Sequence, residues 1–192
     1  MREESPAQPV DSCNEKAARC AAFFLVRKIE KPETAVQYWL MKSEPDEVSI
    51  DDLAKAPKQT VPWFGVRNYQ ARNFMRDQMA VGDLVFFYHS SCPEPGIAGI
   101  AKVAAPAHPD DTQFDAKSPY YDKASKKEEP RWVCVDVKFV QKTALVSLDD
   151  LRGEQALVDM TVLKRGNRLS ITPVTAPEWK HITKKMMGID IK

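Results

Sequence analysis

Leu84-Val85-Phe86-Phe87-Tyr88-His89 is a run of aliphatic, β-branched and aromatic side chains, entered through the turn Val81-Gly82-Asp83. Such a run has strong strand propensity. Ile97 to Ala104 reads as its neighbour, and Ser91-Cys92-Pro93-Glu94-Pro95-Gly96 between them carries the proline and glycine that a chain reversal needs. A β-hairpin therefore occupies the middle of the chain, and the remaining segments must pack around it.

Those segments read as short and mixed. Tyr38 to Lys42 is predicted as a strand that Pro45 ends, because proline removes a ladder donor. Ser49 precedes Ile50-Asp51-Asp52-Leu53, an N-cap followed by acids in the first turn, which predicts a helix to about Lys55. Tyr69 to Met79 spaces Ala71, Met75 and Met79 at intervals of four, so one helical face packs while Arg72 and Arg76 lie on another. Pro106 to Pro130 reads as a long surface loop with little regular structure, a lid or a site wall. Trp132 to Phe139 alternates as a half-buried strand. Ser147 caps a helix through Leu151, Leu157 to Leu163 forms a further element, and Arg168 to Val174 is a last strand. Thr175 with Glu178 is a capping box, with Pro177 in the first turn of a closing helix near Trp179 and His181. Without regular strand-helix alternation, this pattern predicts an α+β domain around a small curved mixed β-sheet or barrel flanked by short helices.

The 192 residues suit one domain with a tail, and residues 1–36 read as an N-terminal extension before a domain over 37–192. The formal net charge is +1, so the chain lacks the basic excess of proteins that coat long duplexes. Any nucleic-acid contact is expected to be local. Cys13, Cys20, Cys92 and Cys134 form no CxxC pair, and with His89, His108 and His181 they match no zinc spacing, so no metal is expected. The apolar run Cys20 to Val26 is too short to span a bilayer, and Glu3, Glu4, Asp11 and Glu15 spoil the basic leader of a targeting peptide. A soluble, intracellular protein, nuclear or cytoplasmic, is expected.

Three clusters carry candidate chemistry. Trp63-Phe64-Gly65-Val66-Arg67-Asn68 and the following Arg72, Asn73 and Arg76 mix a planar ring, amides and guanidinium groups, a set suited to a nucleobase on a phosphate backbone. Trp63 would stack, Arg67 and Asn68 would supply polar contacts, and Arg72 and Arg76 would touch phosphate. Lys42 and Ser43 end the first strand where a sheet edge meets a ligand. Tyr88, His89 and Ser90 leave the core at the end of the hairpin strand. Each cluster also has a plain structural reading: an exposed helix face, a solvated turn and a satisfied histidine. No GxSxG, HExxH, P-loop or GxGxxG is present, which removes the usual warrants for hydrolase, protease, NTPase and Rossmann enzyme.

Taken in order, Tyr38-Trp39-Leu40-Met41-Lys42-Ser43-Glu44-Pro45, Trp63 to Asn73 and Phe86-Phe87-Tyr88-His89-Ser90 resemble the EVE domain. The resemblance continues through Gly96 to Ile100, Pro109-Asp110, Gln113-Phe114-Asp115, Pro130-Arg131-Trp132 and Arg168-Leu169-Ser170. It implies a PUA-like fold akin to YTH and ASCH domains. It also implies a non-catalytic reader of a modified base: EVE proteins are associated with modified cytosines in DNA, such as 5-methylcytosine or 5-hydroxymethylcytosine, and YTH domains with N6-methyladenine in RNA. The implied partner is a modified DNA or RNA base, with no cofactor and no membrane. By position, Lys42, Ser43, Trp63, Arg67, Asn68, Tyr88, His89 and Ser90 would line the pocket. Two alternatives stay open: a nucleotide- or RNA-processing enzyme with His89 as general acid or base, and an adaptor for a protein partner.

Overall fold

The computed structural model describes Val36–Ile191; the N-terminal extension expected before it, with Cys13, Cys20 and the apolar run, lies outside the described residues. The chain runs through β1 (Tyr38–Ser43), α1 (Ile50–Lys55), β2 (Thr60–Pro62), α2 (Tyr69–Asn73), β3 (Leu84–His89) and β4 (Gly96–Val103). It continues through β5 (His108–Pro109), β6 (Val133–Cys134), β7 (Asp136–Ser147), α3 (Leu148–Gly153), β8 (Ile171–Val174) and α4 (Ala176–His181). Six of these strands form one sheet in the order β2-β7-β4-β3-β1-β8, with β5 and β6 paired separately. β1 and β3 run parallel, while β1–β8, β3–β4, β4–β7 and β2–β7 are antiparallel. This is the α+β, PUA-like architecture expected from the sequence.

The hairpin β3–β4 sits at the centre of the sheet, and the alternation of its side chains builds two cores. On one face Trp39, Met41, Val85 and Phe87 pack with Ile50 and Leu53 of α1 and Ala71 and Met75 of the second helical segment. On the other, Leu40, Phe86, Tyr88, Ile97 and Ile100 pack with Leu151 and Trp179 of α3 and α4. Register shifts at Phe87/Tyr88 and on β4 insert bulges, which bend and twist the sheet.

The local signals act as their chemistry requires. Ser49, Ser147 and Thr175 each close a capping box at the start of α1, α3 and α4. Beyond Asn73 the helix widens into a π-helical turn, Phe74–Gln78, which keeps Met75 fully buried.

Three segments differ from the sequence reading. The strand expected over Trp132–Phe139 breaks at Val135 and resumes as β7 as far as Ser147, through Gln141, Lys142 and Thr143. Pairing with β4 sustains it there, which local propensity could not reveal. β8 starts at Ile171, with Arg168 to Ser170 left outside it. The segment Leu157 to Leu163 resolves into two 3₁₀ turns, Gln155–Leu157 and Thr161–Leu163.

Candidate functional site

A cleft of about 370 Å³ opens where β1 ends, between the turn after it and the segment from Val61 to Arg67. Small-molecule sites occupy roughly 300–1,000 Å³, so the space suits one planar ring with part of its attachment. Of the residues singled out in the sequence, Lys42, Ser43, Trp63, Arg67 and Ser90 line it.

Trp63 is largely buried, its ring edge-on to Phe87 at 5.3 Å between centroids, and its backbone N–H donates to Val135 O at 2.8 Å. It is thus both core and wall. Its indole N–H has no partner among the described residues, leaving a donor beside the cleft. Ser43 Oγ donates to Val48 O at 2.7 Å and Ser43 O accepts from Ser90 N at 2.9 Å, so these two residues stiffen the rim. Burial pushes the Lys42 ammonium below its usual pKa, and no described group pairs with it. It is an available cationic donor.

Arg67 lines the cleft but does not offer its guanidinium to it. Nη1 donates to Asp110 Oδ2 at 2.7 Å and to Val66 O at 3.1 Å, Nη2 to Thr112 Oγ1 at 3.0 Å, and Nε to Tyr120 O at 2.8 Å. The Asp110 carboxylate is almost inaccessible and accepts further from the Gly65 and Thr112 backbone amides, both at 3.0 Å, and from Thr112 Oγ1 at 2.6 Å. Burial alone would raise its pKa. The hydrogen bonds from Thr112, Arg67 and Gly65 outweigh that and hold it below the ordinary carboxylate value. Arg67 is therefore a strut between the Trp63 segment and the long loop.

That loop is pinned rather than loose. Gln113 is fully buried, its Nε2 donating to Asp110 O and Trp132 O while its Oε1 accepts from Trp132 N and Ser125 Oγ. The pinning delivers Tyr120 to the cleft, where its ring covers Gly65 and its hydroxyl donates to Glu47 on the turn after β1. Burial, the Glu47 hydrogen bond and the nearby carboxylates push the Tyr120 phenol up to about 12. Arg67 lies 5.5 Å from the ring centroid of Tyr120 and 5.5 Å from that of Trp132.

Three expected cleft residues lie elsewhere. Asn68 is exposed and caps α2, its Oδ1 accepting from Gln70 N at 2.9 Å and Ala71 N at 3.1 Å. Tyr88 faces the opposite core, because it stands one residue out of phase with Phe87 and His89 on the strand. His89 turns to α1, where Nε2 accepts the Ile50 N–H at 3.1 Å; burial lowers its pKa. Arg72 and Arg76 border a separate groove. Tyr120, Glu47 and Phe64 line the cleft without having been singled out as site residues. Tyr120 and Glu47 carried no signal, since nothing local shows which loop residue a distant Arg67–Asp110 pair will place. Asn68 did carry one, as an N-cap before a helical run.

A bent mixed sheet whose strand ends open into a half-aromatic, half-polar cleft defines a domain of the PUA-like class. A family model for the EVE domain matches residues 37–185, and the chain belongs to that family. It is 43% identical over 171 residues to thymocyte nuclear protein 1 of Gallus gallus, covering 80% of this chain and 70% of that one. A crystal structure of a Pseudomonas putida protein matches with 49% identity and TM-score 0.72, over 76% of this chain and 96% of that one. The human THYN1 protein, crystallised in complex with 5-methylcytosine containing DNA, matches at 45% identity and TM-score 0.71, over 76% and 95%.

Proposed function

We propose that this chain is a non-catalytic reader of a modified nucleobase, modified cytosine in DNA, held in the cleft between β1 and the Trp63 segment. The observation that carries the reading is the cleft itself: a planar-ring-sized space walled by Trp63 and Tyr120, with the Lys42 ammonium and the Trp63 indole N–H as free donors. Cytosine presents an amine donor with ring nitrogen and carbonyl acceptors. Lys42 and Trp63 suit the acceptors, and the Glu47 carboxylate suits the amine. The 5-methylcytosine complex of the human THYN1 protein supports the choice of base.

Extruding a base costs a few kcal/mol, and stacking of about 1–3 kcal/mol per base plus edge hydrogen bonds must offset it. Near-zero net charge then makes binding weak when the modification is missing. Arg67 supports the wall through Asp110 instead of touching the base, and Asn68, Tyr88 and His89 have no contact role. His89 Nε2 accepts the Ile50 N–H, which occupies a lone pair that a His89 base would use and favours the non-catalytic reading. A nuclear location agrees with the names of the vertebrate relatives. Among the described residues no helix is long and apolar enough to cross a membrane.

The test is binding of matched oligonucleotides that differ only at one cytosine: unmodified, 5-methyl or 5-hydroxymethyl. Tighter binding of one modified form is expected, and equal affinity for all would end this reading.

A further inference from the structure

A second concavity of about 490 Å³ lies between the helical segment from Tyr69 to Arg76 and the turn from Ala124 to Arg131. Four of its lining residues are cationic, Arg72, Arg76, Lys126 and Arg131, against one acid, Glu129. In a chain of net charge +1 this is a local concentration of positive charge. Its floor is rigid: the half-exposed Tyr69 ring stacks on Trp132 at 4.9 Å, and Arg72 lies 4.8 Å from the Tyr69 centroid.

The donors are oriented and partly free. Arg72 uses Nε and Nη2 on Asn73 Oδ1 and Nη1 on Arg131 O, which fixes the guanidinium and leaves one N–H on each Nη. Lys126 Nζ has no partner among the described residues. Arg131 is held by one bond to Asp122 at 3.3 Å, and Arg76 pairs with its sequence neighbour Asp77 on the open surface.

The groove also connects to the cleft. Tyr120 at the cleft wall, Arg67, Trp132 and Tyr69 form an unbroken series of ring and guanidinium contacts, each about 5 Å long. Phosphates of one duplex strand repeat at about 3.4 Å along the axis, so the series spans only a few nucleotides.

We propose that this groove holds the phosphodiester backbone of the strand flanking the base in the cleft, with Arg72, Lys126, Arg131 and, at the entrance, Arg76 as the phosphate contacts. The proposal deepens the reader assignment and rests on it for the position of the base. The charge of the groove stands independently.

The experiment uses the full chain and a double variant, Lys126→Gln with Arg76→Gln, both side chains lying on the surface outside the core. Affinity for an oligonucleotide with one central 5-methylcytosine is measured across a salt series, alongside binding of free 5-methylcytidine. Two lost phosphate contacts should flatten the slope of log K against log salt by about 1.4–1.8, while nucleoside binding stays unchanged. An unchanged slope, or a wild-type chain with no salt dependence, overturns the groove assignment. A slope that flattens in the double variant while wild type binds modified and unmodified strands equally keeps the groove and removes the base-reading cleft.

Discussion

Alanine at Gly65 should disable the cleft through a contact that its own turn does not contain. Gly65 sits at φ +80°, and an L-residue in that region costs about 1–2 kcal/mol. A Cβ there would stand 2.7 Å from Tyr120 Cζ and 2.9 Å from its Cε2. Carbon atoms rest at about 3.5–4.0 Å, so the ring must withdraw by roughly 1 Å. The phenol end is tethered to Glu47, and withdrawal breaks that exposed hydrogen bond, a further loss of about 0.5–1.5 kcal/mol. The expected total is about 2–3 kcal/mol. Gly82 supplies the control: its φ is +97° with nothing within 4 Å of a built Cβ, so Gly82→Ala incurs the backbone cost alone. Urea unfolding of both variants separates the two parts. Ultraviolet titration then follows Tyr120, which should move from about 12 toward the ordinary tyrosine value near 10. The reasoning fails if Gly65→Ala is no less stable than Gly82→Ala, or if its tyrosine still titrates near 12.

Further outcomes follow from the same contacts. Asp110→Ala leaves Arg67 without its carboxylate; loss of a buried pair's partner typically costs 3–5 kcal/mol, and the partial exposure of Arg67 puts this one near about 3. Unfolding measurements with limited proteolysis of the long loop check it, and a variant that keeps full stability while losing DNA binding would make Arg67 a ligand contact instead. Trp63→Ala should destabilise by about 3–5 kcal/mol because the ring is core as well as wall. Trp63→Phe is the informative binding variant, expected to lose stacking and the N–H donor while keeping the fold by circular dichroism. For His89 the folded pKa is lowered, so its contribution is fully present above the unfolded value of about 6.5 and is lost as pH falls below it. Wild-type stability should decline on acidification from pH 7.5 to 5.5, and a His89→Asn variant with an equally steep decline would refute the assignment.

Much of this protein was legible along the chain because the signals are local. Ser49, Ser147 and Thr175 announce helix starts through hydrogen bonds to amides three residues away, and Leu84–His89 declares a strand by composition alone. The length of β7 was not legible, since Gln141 and Lys142 become strand only against β4. Lys42, Ser43, Trp63 and Ser90, which meet at the cleft, were singled out because strand ends and the mix of ring, amide and guanidinium groups after Trp63 are visible in sequence. Tyr88 lies outside the cleft by one step of side-chain alternation, and His89 is drawn to an amide of α1 thirty-nine residues away.

By itself the sequence determined the order and type of the main elements, the family and the neighbourhood of the cleft, since these depend on residues close in the chain. Only the tertiary structure decided what each polar group does. A guanidinium, a carboxylate or a phenol takes its role from the partner that lies within about 3 Å of it. For Arg67 that partner is Asp110, and for Tyr120 it is Glu47, each more than forty residues away. The long loop thus became a cleft wall through Gln113 and Asp110, two polar residues whose burial is set by folding and not by their own chemistry.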